Sequence, residues 1–199
     1  MFHIEKPIVT DRLIIRPFTQ DDEADMFAFE SRDDVARYLF NEPRTPQDNA
    51  EELSKRIMQT KLEKDGDTLL LAVDYSSTVI GYALLTLVSE NHEQGEFGYV
   101  FHPYYHGQGL ASEAAIEMLR LGFETLNLHR IVGRCDPRNT SSAGLMERLG
   151  LRKEAHFHDS EIFKGEWGGE LVYAMLSSEW GAKETSGMTH AEGRKPPTI

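Results

Sequence analysis

The stretch from Glu96 to Ala115, EFGYVFHPYYHGQGLASEAA, constrains this chain more than any other. An aromatic-rich strand pattern stops at Pro103, a short loop carries Gly107 and Gly109, and a helical pattern begins at once. Glycines lack the Cβ atoms that would hold a ligand away from the backbone. The first N–H groups of a helix are unpaired and carry partial positive charge. Strand, glycine loop and helix in that order therefore build an anion site suited to phosphate. Two common phosphate loops are excluded by residue type. A P-loop needs G-x-x-x-x-G-K-[ST], and no lysine follows Gly109. A dinucleotide fingerprint needs G-x-G-x-x-G, and Ser112 stands where its third glycine belongs. A glycine turn that serves packing alone is the competing reading.

The rest of the chain alternates strand and helix signals. Leu13 to Pro17 reads as a strand, and Asp21-Asp22 as the cap of a helix through Met26, Phe27 and Phe29. Thr45 as N-cap, Pro46 at the first helical position and Asp48 in the first turn start a second helix. It carries Leu53 and Ile57 and is expected to end near Gly66. Thr68 to Asp74 and Val79 to Ser89 form a hairpin through Tyr75-Ser76-Ser77, and Glu96 to His102 is a further strand. Helices over Leu110 to Leu126 and Ser141 to Leu149 flank a strand at Arg130 to Cys135, with Gly150 as a stop signal. Arg152 to Phe163 and Glu170 to Leu176 close the pattern as a strand pair around the Gly165 to Gly169 turn. The sum is a single α/β domain over residues 1–180, with helices packed on one sheet. Residues 181–199 have no periodic apolar face and read as a disordered tail.

Composition excludes several classes. One cysteine, Cys135, allows no internal disulfide. The longest apolar runs, Leu69 to Val73 and Tyr82 to Val88, are far too short to span a membrane. Met1 to Thr10 lacks the apolar core of a signal peptide, so a cytoplasmic location is expected. With 33 acidic against 21 basic residues the formal net charge is −12, which argues against a nucleic-acid partner. The same field attracts a cationic small molecule or peptide.

Four segments together resemble a GCN5-related N-acetyltransferase (GNAT) of the RimJ/RimL-like branch. Thr10-Asp11-Arg12-Leu13-Ile14-Ile15-Arg16-Pro17 is similar to that branch's T-x-R-L-x-[IL]-R opening. Gly98-Tyr99 and Tyr105 through Ala114 resemble its acetyl-CoA loop. Asn139-Thr140-Ser141-Ser142, followed by Met146 through Arg152, resembles N-x-x-S-x-x-x-x-[EK]-[KR]-x-G-F. Tyr173-Ala174-Met175-Leu176 with Glu179-Trp180 resembles the closing Y-A-[ML]-L-x-x-E-W. Three positions depart from the pattern: Tyr104 replaces the usual loop Gln or Arg, Leu151 replaces Phe, and the last hairpin has Lys164-Gly165 and Glu170 for Asn-Gly followed by Asp.

The resemblance implies a GNAT fold, a mixed and mostly antiparallel central sheet flanked by helices. It implies acetyl-CoA as cosubstrate, no metal, and direct acetyl transfer to a primary amine in a ternary complex. The first-named acceptor is a protein N-terminal α-amine; an amino acid, polyamine or antibiotic amine is the alternative, and a non-catalytic acetyl-CoA-binding module is the competing class. A homodimer is compatible with all of these. The backbone of Val100 and Phe101 is expected to meet the pantetheine arm, and His106, Gly107, Gln108, Gly109, Leu110 and Ala111 the pyrophosphate. Asn139 would bond the coenzyme arm, and Ser142 would contact the coenzyme and protonate its sulfur. Glu96, on one strand face with Gly98 and Val100, is the expected base that accepts the amine proton. Tyr99 and Tyr105 are rival acids, Arg134 and Arg138 alternative phosphate contacts, and Cys135 an inert core residue. His156 and His158 share a strand face but show no third metal ligand.

Overall fold

The computed structural model describes residues 2–181. Ten strands are formed: β1 (Phe2–His3), β2 (Ile8–Val9), β3 (Ile14–Pro17), β4 (Lys61–Leu62), β5 (Thr68–Tyr75), β6 (Thr78–Ser89), β7 (Gln94–Phe101), β8 (Arg130–Cys135), β9 (Arg152–Phe163) and β10 (Glu166–Leu176). Five α-helices accompany them: α1 (Glu23–Glu30), α2 (Asp33–Ala36), α3 (Pro46–Ile57), α4 (Leu110–Arg120) and α5 (Thr140–Arg148). Eight strands make one sheet in the order β2-β3-β5-β6-β7-β8-β10-β9. Every neighbouring pair is antiparallel except β7 and β8, which the α4 crossover makes parallel. The expected architecture, a mixed and mostly antiparallel sheet flanked by helices, is the observed one.

Both faces of the sheet are covered, and β5 shows why its sequence is a continuous apolar run. Leu69, Leu71 and Val73 enter one core with Leu110, Met118 and Met146 of α4 and α5, while Leu70 and Ala72 enter another with Met26, Phe29 and Leu53 of α1 and α3. The hairpin at Ser76-Ser77 turns with positive φ at both residues (54° and 65°), the twist that suits a two-residue connection.

Asp22 occupies the N-cap position of α1 as expected but makes no side-chain cap bond there: a 3₁₀ turn capped by Thr19 precedes it, and the buried Asp22 carboxylate pairs with Arg16 at 2.8 Å through both oxygens while accepting the Thr19 N–H at 2.7 Å. Three sequence boundaries are corrected. Helix α3 ends at Ile57 rather than near Gly66, since Thr60 and Gln59 carbonyls are taken by the Ile4 and Leu70 N–H groups. Helix α4 ends at Arg120, and Leu121–Thr125 form a π turn in which the Leu126 N–H reaches Leu121 O at 3.0 Å, keeping Leu121 and Phe123 buried. The last hairpin turns at Lys164-Gly165 (φ 50° and 85°), so β10 starts at Glu166. Gly169 lies within β10, where an added Cβ would sit 2.4 Å from Phe157 O. Of the proposed tail, residues 181–199, all but Gly181 lie outside the described residues.

Helices α1 and α3 are joined by buried charge. Glu30 (1% exposed) accepts Arg56 Nη2 at 2.8 Å and Arg44 Nε at 3.0 Å, and the Arg56 guanidinium (3% exposed) lies 4.3 Å from the Tyr82 ring centroid. Burial pushes the Tyr82 phenol up to about 12. Removing one member leaves a buried charge short of its partner. Arg56→Met is expected to destabilise the protein by about 3 kcal/mol, and Glu30→Gln combined with it to recover part of that loss. Urea denaturation of the two single variants and the double variant checks this.

Candidate active site

The parallel pair β7–β8 is joined over only three residue pairs, Gln94↔Arg130, Gly95↔Ile131 and Glu96↔Val132. Beyond Glu96 the strands part. β7 stays with β6 as far as Gly81↔Phe101, and β8 stays with β10 as far as Leu171↔Cys135. A notch therefore opens in the middle of the sheet, edged by residues 97–101 on one side and 133–135 on the other. Its rims bring together residues far apart in sequence. Tyr99 Oη lies 2.9 Å from Ser142 Oγ and donates toward Ser142 O at 3.3 Å, bridging β7 to the first turn of α5. The Cys135 thiol is half-buried on β8, and the same Ser142 acts to lower its pKa. Burial pushes the Tyr99 phenol up to about 12, against the lowering effect of Ser142, and the Cys135 thiol up to about 11.

Asn139 is the N-cap of α5: its Oδ1 accepts the Ser142 N–H at 3.1 Å, which leaves the Nδ2 donors without a partner among the described residues. Val100 and Phe101 lie on the β7 rim with their side chains in the two cores. The loop follows directly. His106 Nε2 contacts Phe101 O at 3.1 Å, and a 3₁₀ turn at Pro103–Tyr105 leads into Gly107 (φ 75°) and Gly109 (φ 80°). Gly109 occupies the N-cap position of α4. From Gly107 to Ala111, through Gln108 and Leu110, five consecutive backbone N–H groups make no hydrogen bond among the described residues. That is the donor array an anion requires.

Sequence reasoning missed what holds this loop. Arg12, from the segment before β3, donates Nη1 to Gln108 O at 2.8 Å and Nε to Glu113 Oε2 at 2.7 Å. Thr10 Oγ1 donates to Glu113 Oε1 at 2.5 Å, and the Arg12 N–H reaches the same oxygen at 3.1 Å. Burial alone would raise the Glu113 carboxyl, but the Thr10 and Arg12 bonds outweigh it and hold it below the ordinary range. The motif containing Thr10 and Arg12 was visible in the sequence; a partner about a hundred residues away was not.

Glu96 stands at the closed end of the notch, 37% exposed at its side chain. Its Oε2 accepts Arg134 Nε at 3.0 Å, and Arg134 Nη1 reaches Glu170 Oε2 at 2.7 Å, so one guanidinium sits between two carboxylates. Burial pulls Arg134 down, and the two carboxylates outweigh it to hold it above its ordinary value. Arg134 and Arg138 are thus both engaged, the latter with Asp136 at 2.6 Å. The β9–β10 tip extends over this face, where Lys164 Nζ donates to Ala36 O and Asn41 O at 3.0 Å each. His156 and His158 stack with centroids 3.8 Å apart, and no group of three metal-ligating side chains gathers among the described residues.

Residues 12–152 match the acetyltransferase (GNAT) domain. The chain is 31% identical over 173 residues to an uncharacterized N-acetyltransferase, YnaD, of Bacillus subtilis (strain 168), covering 87% of this chain and 98% of that protein. This chain belongs to the GNAT acetyltransferase family. A solved GNAT structure from Bacillus anthracis superposes with a TM-score of 0.78 at 31% identity, over 87% of this chain and 99% of that one. Two Escherichia coli (strain K12) relatives have named acceptors. A spermidine N(1)-acetyltransferase is 23% identical over 88% of this chain and 92% of its own length, and a [ribosomal protein uS5]-alanine N-acetyltransferase is 31% identical over 42% of this chain and 43% of its own.

As a GNAT enzyme the protein is an acetyl-CoA-dependent acetyltransferase, and the notch and N–H array fit that cosubstrate: a polar arm can lie between the parted strands and a pyrophosphate at the loop. No helix among the described residues is long and apolar enough to cross a membrane. The raised thiol makes a reactivity prediction. A thiol near 11 rather than 9.0 holds roughly a hundredth of the thiolate at pH 8. Alkylation of Cys135 by iodoacetamide, read by mass spectrometry, is expected to be about a hundredfold slower than that of an unperturbed thiol at pH 8, and to rise about tenfold per pH unit up to pH 10.

Proposed function

We propose that this enzyme transfers the acetyl group of acetyl-CoA to a primary amine by direct attack, with both substrates held in the notch. The observation that carries the reading is the pair formed by the parted β7–β8 rims and the free N–H groups of Gly107 to Ala111. Bound there, acetyl-CoA supplies an activated thioester. Gly107, Gln108, Gly109, Leu110 and Ala111 would hold its pyrophosphate through their N–H groups, with His106 fixing the loop against Phe101 O. The backbone of Val100 and Phe101 would align the pantetheine arm, and Asn139 Nδ2 is free to bond it.

Glu96 takes the proton that the amine must lose to attack, and Arg134 fixes the orientation of its carboxylate. Ser142 gives a proton to the departing sulfur and draws on the Tyr99 hydroxyl behind it, 2.9 Å away. A phenol near 12 keeps its proton at neutral pH and so remains a donor. Cys135 near 11 is a poor nucleophile, which favours direct attack over an acyl-cysteine route.

The acceptor we propose first is a protein N-terminal α-amine, in line with the RimJ/RimL-like segments at Thr10 to Pro17 and Tyr173 to Trp180. A small cationic amine is the second reading, favoured by the polyamine-acetylating relative whose match runs over most of the chain. The net charge of −12 suits both. Both readings place the enzyme in the cytoplasm.

Thiol release from acetyl-CoA with basic N-terminal peptides, polyamines, amino acids and amino-bearing antibiotics, with products read by mass, decides between them. A peptide acetylated at its α-amine supports the first reading; acetylation confined to small amines replaces it. Glu96→Gln is expected to lower kcat/KM at least a hundredfold, and Ser142→Ala about tenfold because Tyr99 can donate in its place. CoA affinity measured by calorimetry should stay within about twofold in Glu96→Gln. Full turnover in both variants would sink the acid–base assignment.

A further inference from the structure

The loop that receives the coenzyme has no cation of its own. No lysine follows Gly109, and Tyr104 stands where an Arg or Gln usually opens such a loop. A glycine loop is also soft, because glycine confines the backbone least. Five free N–H groups converge on one anion only if the carbonyls between them are turned away and held.

The structure shows one such restraint. Gln108 O, between the two glycines, accepts Arg12 Nη1 at 2.8 Å. In an uninterrupted helix that carbonyl would receive the Ser112 N–H; here α4 begins at Leu110 and the guanidinium takes its place. The Arg12 side chain lies against Gly109, where an added Cβ would come within 3.4 Å of Nη2. Arg12 is fixed in turn by Glu113, which also accepts Thr10 Oγ1 and the Arg12 N–H. The chain therefore carries a three-residue latch, Thr10–Arg12–Glu113, from the segment before β3 to the first turn of α4.

We propose that Arg12 is the positioning residue of the coenzyme loop: by holding Gln108 O and Glu113 together it sets the Gly107–Ala111 N–H groups in their ligand-facing arrangement. This rests on the acetyl-CoA reading above. Arg12 acts through the loop and not on the reacting atoms, so its effect falls on coenzyme affinity and leaves the chemical step alone. Position is separable from charge at this site. Glu113 is an anion in the first turn of the helix that faces an anionic ligand. If attraction alone mattered, removing that anion would tighten binding. If the latch matters, removing it loosens Arg12 and weakens binding.

The test is calorimetric titration of CoA into the full-length protein, with acetyl-CoA kinetics alongside. Wild-type protein must bind CoA; if it does not, the acetyl-CoA reading fails independently of the latch. Given binding, Arg12→Ala is expected to raise Kd and the KM for acetyl-CoA about tenfold, with kcat at saturation within about twofold. Arg12→Lys keeps the charge but loses the two-pronged grip, and should recover less than half of that loss on a logarithmic scale. Glu113→Ala should weaken CoA about threefold. Arg152→Ala removes an equally exposed ion-paired arginine on β9 and controls for general loss of a surface pair. An unchanged Kd in Arg12→Ala, a loss matched by Arg152→Ala, or tighter binding in Glu113→Ala overturns the proposal. The Glu113→Ala result stands even if Arg12→Ala fails to fold.

Discussion

The structure depends on one interruption: the parallel ladder between β7 and β8 stops after three pairs, although both strands run on. Backbone N–H and C=O groups left unpaired in a sheet are costly unless water or a ligand meets them, so strands with unpaired inner edges ordinarily close. Here each strand is held on its outer side, β7 through eight pairs with β6 and β8 through six with β10. The apolar layer of α4 and α5 packs beneath both strands, with Phe97 and Met146 in the same buried cluster. The two halves of the sheet are thereby fixed apart, with side-chain bridges between them at Glu96–Arg134 and at the Tyr99–Ser142 hydroxyl pair. The gap is a product of packing on either side of it.

An acidic chain that handles an anionic coenzyme poses an electrostatic problem, and four cations around the cleft are already matched by carboxylates. Arg12 is matched by Glu113, Arg134 by Glu96 and Glu170, Arg138 by Asp136, and Lys164 by Glu42. On the proposed reading, attraction for phosphate falls to backbone dipoles at the start of α4, which are short-ranged and directional. Such dipoles select a bound geometry, whereas a cluster of lysines would attract any polyanion. The acidic surface beyond the cleft then remains available to draw in a cationic amine.

Legibility in the sequence followed the range of the interactions involved. The Thr45-Pro46-Asp48 start of α3, the Ser76-Ser77 turn and the Arg130–Cys135 strand were readable because local caps and alternation set them. The glycine loop was readable because a backbone requirement restricts residue type. The ends of α3 and α4 were not, since hydrogen bonds from Ile4 and Leu70 and a π turn decide them. Arg12 with Glu113, and Glu96 with Arg134 and Glu170, were likewise hidden. Each residue alone looks like a surface charge, and only the fold reveals what it faces.

The last hairpin is the hardest part to read. Asp159 in β9 takes a positive φ of 47°, within a bulge where three residues, 158–160, face one in β10. Such a bulge bends the strand and re-aims its tip. At that tip Lys164 adopts a φ of 50°, which costs a lysine about 1 kcal/mol and an asparagine less. The side chain offsets this by donating to two carbonyls of the 36–42 segment and pairing with Glu42, while Phe163 meets Phe40 edge to face at 5.3 Å. The asparagine usual in this turn is the easier residue for the turn itself, so the lysine is explained by the tether and not by the backbone. The strain it accepts ties the tip to the segment after α2 across the face that carries Glu96. The tether joins two segments more than 120 residues apart in sequence, and no short motif encodes it.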